Sequence, residues 1–228
     1  MEPRTISLLY DNIDDDYRWR IIELSNFRTA VLSQSNSKTT NALVRAGVSL
    51  LYSHWEGFVK HTSDQYYKYV TFQNLKTGQL SDSFISILLR KEIEELASSK
   101  KIKLHSRVIQ MFIDEMSKEA KFSATSPIKT SNLNYSIFED ICEMVGVDLD
   151  EFEKIYHKKG FDRNPKLTID EDLVYKRNNI AHGQRMLVEL KEFKLLYDVV
   201  VNGFLTVFKE LIMDAAQSHN YKRTNPMA

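Results

Sequence analysis

Apolar residues recur at intervals of three and four along most of the chain, which is the spacing of a buried helix face. This pattern predicts a first helix from about residue 14 to 33 and a long second helix from Thr39 or Thr40 to about Val70. The clearest pattern predicts a long C-terminal helix over about residues 189–216. Its apolar face comprises Phe193, Leu196, Tyr197, Val200, Val201, Phe204, Val207, Phe208, Leu211 and Ala215.

Capping residues and glycines predict shorter helices between these long ones. Two of them cover SDSFISILLRKEIEELA and HSRVIQMFIDEMSKEA, and an irregular loop follows in KFSATSPIKTSNLNYS. Ser136 and Thr168 each stand three residues before a glutamate, which is the capping-box spacing and predicts a helix start. Gly146 and Gly160 predict two helix ends, and the helix from Thr168 is expected to loosen near Gly183.

The chain lacks the alternating pattern of strands, internal repeats and any segment that clearly separates domains. These observations predict an all-α fold, a single-domain helical bundle over residues 1–228 with a long second helix and a long C-terminal helix. Residues from about 218 to 228 are expected to form a flexible tail.

Composition supports helices and limits the possible partners. Only 7 glycines and 4 prolines occur in 228 residues, while 27% of the residues are charged. Because 31 basic residues balance 31 acidic ones, no net charge steers the protein toward nucleic acid, and any phosphate binding must be local. The single cysteine, Cys142, excludes a disulfide framework and favours a reducing compartment.

We expect a cytoplasmic protein with no membrane partner. The first residues lack the basic and apolar regions of a signal peptide. The longest apolar stretch, LLYDVVVNGFL, is interrupted by Asp198 and Asn202 and is too short to cross a bilayer.

The octet KRNNIAHG, residues 176–183, is the one segment that structure alone does not explain. Arg177 lies between the apolar positions Leu173 and Ile180, so its side chain is expected to point toward the core or a cleft. A guanidinium there is costly unless it is paired or faces a polar pocket. One interpretation is a purely structural ion pair, for example with Glu56 of the second helix.

His182 favours a different interpretation, in which the octet cleaves RNA. Histidine can move the proton of a 2′-hydroxyl, and arginine can hold the charged phosphate, so no metal or cofactor is required. However, His182 follows Arg177 by five residues, about 140° around a regular helix. The two would meet through a distorted helix end at Gly183, through arginine's reach, or through a second copy of the chain.

The octet resembles the signature of the HEPN superfamily: an arginine, a polar residue, three variable residues and a histidine. YRWRIIELS, LLYSHWEGFVK and SNLNYSIFEDICEMVG also resemble small standalone HEPN proteins of bacterial defence and toxin systems. The resemblance implies a metal-independent endoribonuclease that acts as a homodimer on RNA, with an antitoxin or defence-system protein as a possible partner.

Carried onto this sequence, the resemblance makes Arg177 and His182 catalytic and gives Asn178 and Lys176 contacts with the substrate. Glu56 is expected to hold Arg177 in place. Gln184 stands where toxins silenced by a partner nucleotidyltransferase carry a modifiable tyrosine, which argues against that mechanism. The alternative is a non-catalytic helical adaptor that binds a nucleotide or a protein. The segment YHKKGFDRNPK combines basic and aromatic residues, which is compatible with an RNA-contacting rim. The alternative for this segment is an ordinary solvated loop.

Overall fold

Two long N-terminal helices form the largest packed pair in the protein. The computed structural model describes residues 1–123 and 125–224. Helix α1, Ile6–Leu32, begins earlier than predicted because the Thr5 hydroxyl accepts a hydrogen bond from the Leu8 amide at 3.3 Å. Helix α2, Ser37–Thr71, is capped by the Asn36 side chain, so the predicted caps Thr39 and Thr40 are wrong.

Five shorter helices follow, and they run in this order: α3 Asp82–Leu88, α4 Arg90–Ser98, α5 Ile102–Met116, α6 Tyr135–Val145 and α7 Leu149–Lys158. The predicted third helix is therefore two helices, because the backbone leaves the helical region at Leu89. The side chain of Asn134, not Ser136, caps α6, and Gly146 ends it with φ +66°.

The last two helices each contain a wider, π-type stretch between ordinary α-helical turns. Helix α8 consists of Pro165–Leu167, the π-type stretch Thr168–Tyr175, and Lys176–Ala181. Helix α9 consists of Leu190–Asp198, the π-type stretch Val199–Leu205, and Thr206–Gln217. Asn164 caps α8, so the predicted start at Thr168 is three residues late. Such π-type turns are frequent at functional sites.

The buried core is aromatic and centres on α2. The indole of Trp55 packs edge-on against Phe138 at 4.9 Å and Phe208 at 6.3 Å, and at a tilt against Phe204 at 5.2 Å between ring centroids. These contacts join α2 to α6 and α9 and fix the face of α2 that remains open. Within the described residues there is no β-strand, and the all-α prediction is confirmed.

Tyr221 is buried, although it lies in the segment from about 218 that is expected to form a flexible tail. Tyr221 is 1% exposed, and its ring lies 5.8 Å from Tyr69 and 6.4 Å from Tyr66. Its carbonyl accepts a 2.8 Å hydrogen bond from the Ser81 amide. Residues 225–228, the rest of the predicted tail, lie outside the described residues. No helix in the described part of the chain is long and apolar enough to cross a membrane.

Candidate functional site

An open groove with a cavity volume of about 740 Å³ lies between α2, the segment 128–131 and the end of α8. Four polar residues of α2 face it at helical spacing: Ser49, Ser53, Glu56 and Lys60. Eleven residues separate the first from the last, so the groove follows α2 for about 16 Å. Arg177 and Ala181 of α8 line the groove as well.

Arg177 enters the groove from α8 with few of its hydrogen bonds made. Its Nη1 donates to Asn178 Oδ1 at 2.7 Å, and its Nη2 lies 3.6 Å from Glu56 Oε2, an ion-pair distance. Its Nε is buried without a hydrogen-bond partner among the described residues. A guanidinium has five N–H donors, so hydrogens on Nη1 and Nη2 remain without a hydrogen bond among the described residues and can serve a ligand in the groove.

The ring of Tyr52 supports Arg177 from α2. Arg177 Cζ lies 3.9 Å from the ring centroid, which is a close cation–π contact. Tyr52 is 2% exposed, and its hydroxyl has no hydrogen-bond partner among the described residues. Burial and the nearby Glu56 carboxylate raise the pKa of Tyr52, so the phenol stays neutral at physiological pH.

Asn178 links the motif helix to the loop before α6. Its amide Nδ2 donates to Asn132 Oδ1 at 3.2 Å, while its own Oδ1 accepts from Arg177. Asn132 has φ +57°, a left-handed conformation that asparagine tolerates better than most residues. The Asn178 side chain therefore ties Arg177 to the segment that forms one wall of the groove.

His182 ends α8 and lies outside the groove lining. Its amide donates to the Asn178 carbonyl at 3.0 Å, and Gly183 follows with φ +74°, which turns the chain out of the helix. The His182 side chain is exposed. Arg45 of α2 holds Gln184, two residues after the histidine, by donating to its carbonyl at 2.8 Å. The structure thus brings Arg177, Asn178 and Glu56 together, with His182 at the adjacent helix end.

Lys176 does not reach the groove. Its Nζ donates to Asp172 Oδ1 at 2.8 Å and also to Glu192 of α9. Burial would lower the pKa of Lys176, but these two carboxylates outweigh it and leave the pKa raised. The lysine is therefore charged and neutralised inside the protein, and the substrate contact expected for it from the sequence is not supported.

The possible rim in YHKKGFDRNPK is also occupied by internal contacts. Tyr156 is fully buried and stacks on Phe161, with 5.1 Å between ring centroids. Arg163 forms ion pairs with Glu171 at 2.9 Å and Asp172 at 2.6 Å. A buried ring and a paired arginine leave little of this segment for stacking on bases.

Sequence reasoning missed Tyr52, Lys60, Lys129 and Asn132. Tyr52 precedes Glu56 by four residues, which places both on one helix face, and this spacing was the available signal. Lys129 and Asn132 lie in an irregular loop whose course no periodicity predicts. With Arg177, Lys60 and Lys129 against Glu56, three positive charges and one negative give the groove a charge of +2.

A comparison with protein families supports the resemblance noted in the sequence. The family model described as HEPN_MAE_28990-like HEPN matches residues 9–221, nearly the whole chain. The chain belongs to this HEPN family. No curated protein and no solved structure matches it. Because HEPN domains are commonly ribonucleases, membership suggests a nuclease or another RNA-related function.

Proposed function

We propose that this HEPN protein is a metal-independent endoribonuclease that cleaves RNA by attack of a 2′-hydroxyl, at a cleft formed by two copies of the chain. The observation that carries the proposal is Arg177, whose unused N–H donors lie in a groove of charge +2 within a protein of zero net charge. A planar guanidinium of this kind suits a phosphate group, to which it can donate two parallel hydrogen bonds.

The proposed reaction uses only the chain's own side chains. His182 takes the proton from the 2′-hydroxyl, and the oxygen forms a bond with the adjacent phosphorus. The bond from phosphorus to the 5′-oxygen breaks, and a protonated histidine gives that oxygen a proton. Arg177 stabilises the charge that develops on the phosphoryl oxygens. The products are a 2′,3′-cyclic phosphate and a 5′-hydroxyl.

The position of His182 favours a site shared between two copies. Arg177 faces α2, whereas His182 lies exposed at the end of the helix, about 140° away on a regular helix. Tyr175 is 59% exposed, and because His182 follows it by seven positions, the two lie within about 20° of one helix face. Leu187, just beyond, is 76% exposed. Two exposed apolar side chains within seven positions of the histidine in sequence are suited to burial by a second copy, which would bring His182 of one chain toward Arg177 of the other.

A role as a toxin or an anti-phage effector follows from the resemblance to small HEPN proteins of defence systems. In this role the protein would be held inactive by an antitoxin or defence partner. Gln184, in place of the modifiable tyrosine, favours a partner that acts by binding rather than by modifying that position.

The test is cleavage of single-stranded RNA in EDTA by the wild type, Arg177→Ala and His182→Ala. We expect both variants to lose at least about a hundredfold in rate, the usual scale for removing a general acid–base or a charge-stabilising group. Arg18→Ala and His157→Ala serve as controls, because both side chains are exposed and neither lines the groove. Cleavage that persists in both site variants would refute the proposal, as would products without cyclic phosphate ends.

A second candidate is a binding module that holds a nucleotide or a peptide in the same groove. The observation in its favour is that His182 does not line the groove, since a binding module would not need it there. This candidate predicts that the wild type binds a single-stranded oligonucleotide through Arg177 and leaves RNA intact at every protein concentration.

A further inference from the structure

We infer that Tyr52 is a positioning residue that sets the plane of the Arg177 guanidinium in the groove. The inference rests on the proposed function, because it assigns Arg177 the phosphate. Tyr52 itself is 2% exposed, so it acts through the arginine and not by touching the substrate.

Three contacts on different sides define where the guanidinium lies. The Tyr52 ring covers one face at 3.9 Å, Asn178 receives Nη1 at 2.7 Å, and Glu56 approaches Nη2 at 3.6 Å. Only the Asn178 contact is a hydrogen bond. One hydrogen bond and one longer ion pair leave the plane of the group free to rotate, and the aromatic face removes that freedom.

The arrangement assigns the task to the ring and not to the hydroxyl. The hydroxyl is buried and makes no hydrogen bond of good geometry among the described residues, although Glu56 and Arg177 lie near enough to shift its pKa, so its removal should cost less than removal of the ring. Burial also raises the pKa of Tyr52, which makes the phenol unsuitable as a proton carrier near neutral pH. Phenylalanine at position 52 should therefore preserve the positioning of Arg177, whereas an aliphatic residue of similar size should not.

The first test measures the NMR signal of the Arg177 side chain and needs no RNA. Arg177 Nε is buried, so its N–H should give a slowly exchanging signal in a ¹⁵N-resolved NMR spectrum, shifted upfield by the ring beneath it. We expect this signal to be kept in Tyr52→Phe and to exchange faster in Tyr52→Leu, in addition to the downfield move that loss of the ring causes by itself. An exchange rate in Tyr52→Leu equal to that of the wild type would overturn the inference. If Tyr52→Leu loses its helical circular dichroism, Tyr52→Met takes its place.

The second test measures coupling between the two residues. We expect Tyr52→Leu to lower the cleavage rate roughly tenfold, within the range of a desolvated cation–π contact, and Tyr52→Phe to stay within about twofold of wild type. Binding to a 2′-O-methyl oligonucleotide, which has no attacking hydroxyl, is then measured for Tyr52→Leu with and without Arg177→Ala. A positioning role predicts no further loss of affinity when Arg177 is already absent.

The two proposals fail in different ways. Equal cleavage by wild type and His182→Ala overturns the nuclease proposal but leaves the NMR and binding results to decide on Tyr52. A loss of affinity in Tyr52→Leu that is the same in both backgrounds shows a general structural role for Tyr52 and overturns the inference, whatever the outcome for cleavage.

Discussion

Two arginines lie against α2 in similar surroundings, and only one of them leaves most of its hydrogen-bond donors unused. Arg20 of α1 lies 4.6 Å from the Trp19 ring and donates to both carboxylate oxygens of Asp16, at 2.7 and 3.2 Å. It also donates to the His54 carbonyl at 3.4 Å. Arg177 lies 3.9 Å from an aromatic ring too, but it makes one hydrogen bond and a looser ion pair.

The difference separates a structural arginine from an arginine available to a ligand. The Arg20–Asp16 side chains are each 10% exposed, against 24% and 26% for Arg177 and Glu56. The Arg20–Asp16 pair is bidentate and shielded from water, so the hydrogen-bond donors of Arg20 stabilise the fold. The Arg177–Glu56 pair, at 3.6 Å beside an open groove, holds the guanidinium in place and leaves donors of Arg177 available to a ligand. Aromatic stacking and a carboxylate neighbour alone do not distinguish the two.

The largest effect on stability should come from Arg20→Ala, which removes the hydrogen bonds to Asp16 and to the His54 carbonyl, the group called here the Arg20 cluster. It removes the charged partner of the largely buried Asp16 carboxylate, which keeps a hydrogen bond from the Trp19 indole at 2.9 Å, so we expect a loss of about 3 kcal/mol in the free energy of unfolding, the lower end for a broken buried pair. Urea denaturation followed by circular dichroism measures it. Cleavage per folded molecule should remain, because Arg20 does not line the groove.

Arg177→Ala should show the opposite pattern, with a small effect on stability and a large effect on cleavage. Its free energy of unfolding should fall by at most about 1–2 kcal/mol, because the cation–π contact with Tyr52 is lost while Glu56 is partly exposed and water can replace the arginine there. Its cleavage should be lost. A variant of Arg177 that destabilised the protein as much as Arg20→Ala would remove the distinction between the two clusters.

The sequence could predict Arg177 as a site residue because helical periodicity is local. Its place between Leu173 and Ile180 depends only on turns of one helix, and Ile180 does pack against the core. Gly183 likewise takes the positive φ expected of a glycine that ends a helix. The all-α fold followed from the same periodicity and from the absence of alternating segments.

The remaining features depend on residues far apart in the chain, and no local pattern contains them. Lys176 looked like a phosphate contact beside Arg177, but Glu192 of α9 neutralises it. Tyr221 looked like part of a frayed tail, but Tyr66 and Tyr69 provide a buried site for it. Arg20 was not selected at all, since its partner Asp16 is local but the burial of the pair requires α2.

A smaller effect should appear when the pH is lowered, and it should come from the Arg20 cluster. His54, 3% exposed, has a pKa lowered by burial and by the charge of Arg20, while Glu23 at 2.8 Å and Asp16 act in the opposite direction. Below the ordinary histidine value of 6.5 the unfolded chain binds a proton that the folded chain resists. Stability should therefore fall as the pH drops from 6.5 toward the folded pKa.

The free energy of unfolding at pH 7.5 and near pH 5 measures this effect in wild type, His54→Gln and His157→Gln. We expect a smaller loss on acidification in His54→Gln than in the other two, because His157 is exposed. Equal pH dependence in all three proteins would show that the Arg20 cluster does not respond to protonation of His54.

The smallest effect should come from the two lysines that share the groove with Arg177. Lys60 and Lys129 are exposed and would meet phosphates next to the one held by the arginine. For single-stranded nucleic acid, each neutralised phosphate contributes about 0.7 to the slope of log affinity against log salt concentration. Lys60→Ala and Lys129→Ala should each reduce the slope by about that amount, measured by fluorescence anisotropy with a 2′-O-methyl oligonucleotide between about 50 and 200 mM salt. Lys91→Ala, an exposed lysine outside the groove, should leave the slope unchanged. If Lys91→Ala reduced it as much as the groove lysines, binding would follow the general surface charge, and the free donors of Arg177 would no longer mark where the strand lies.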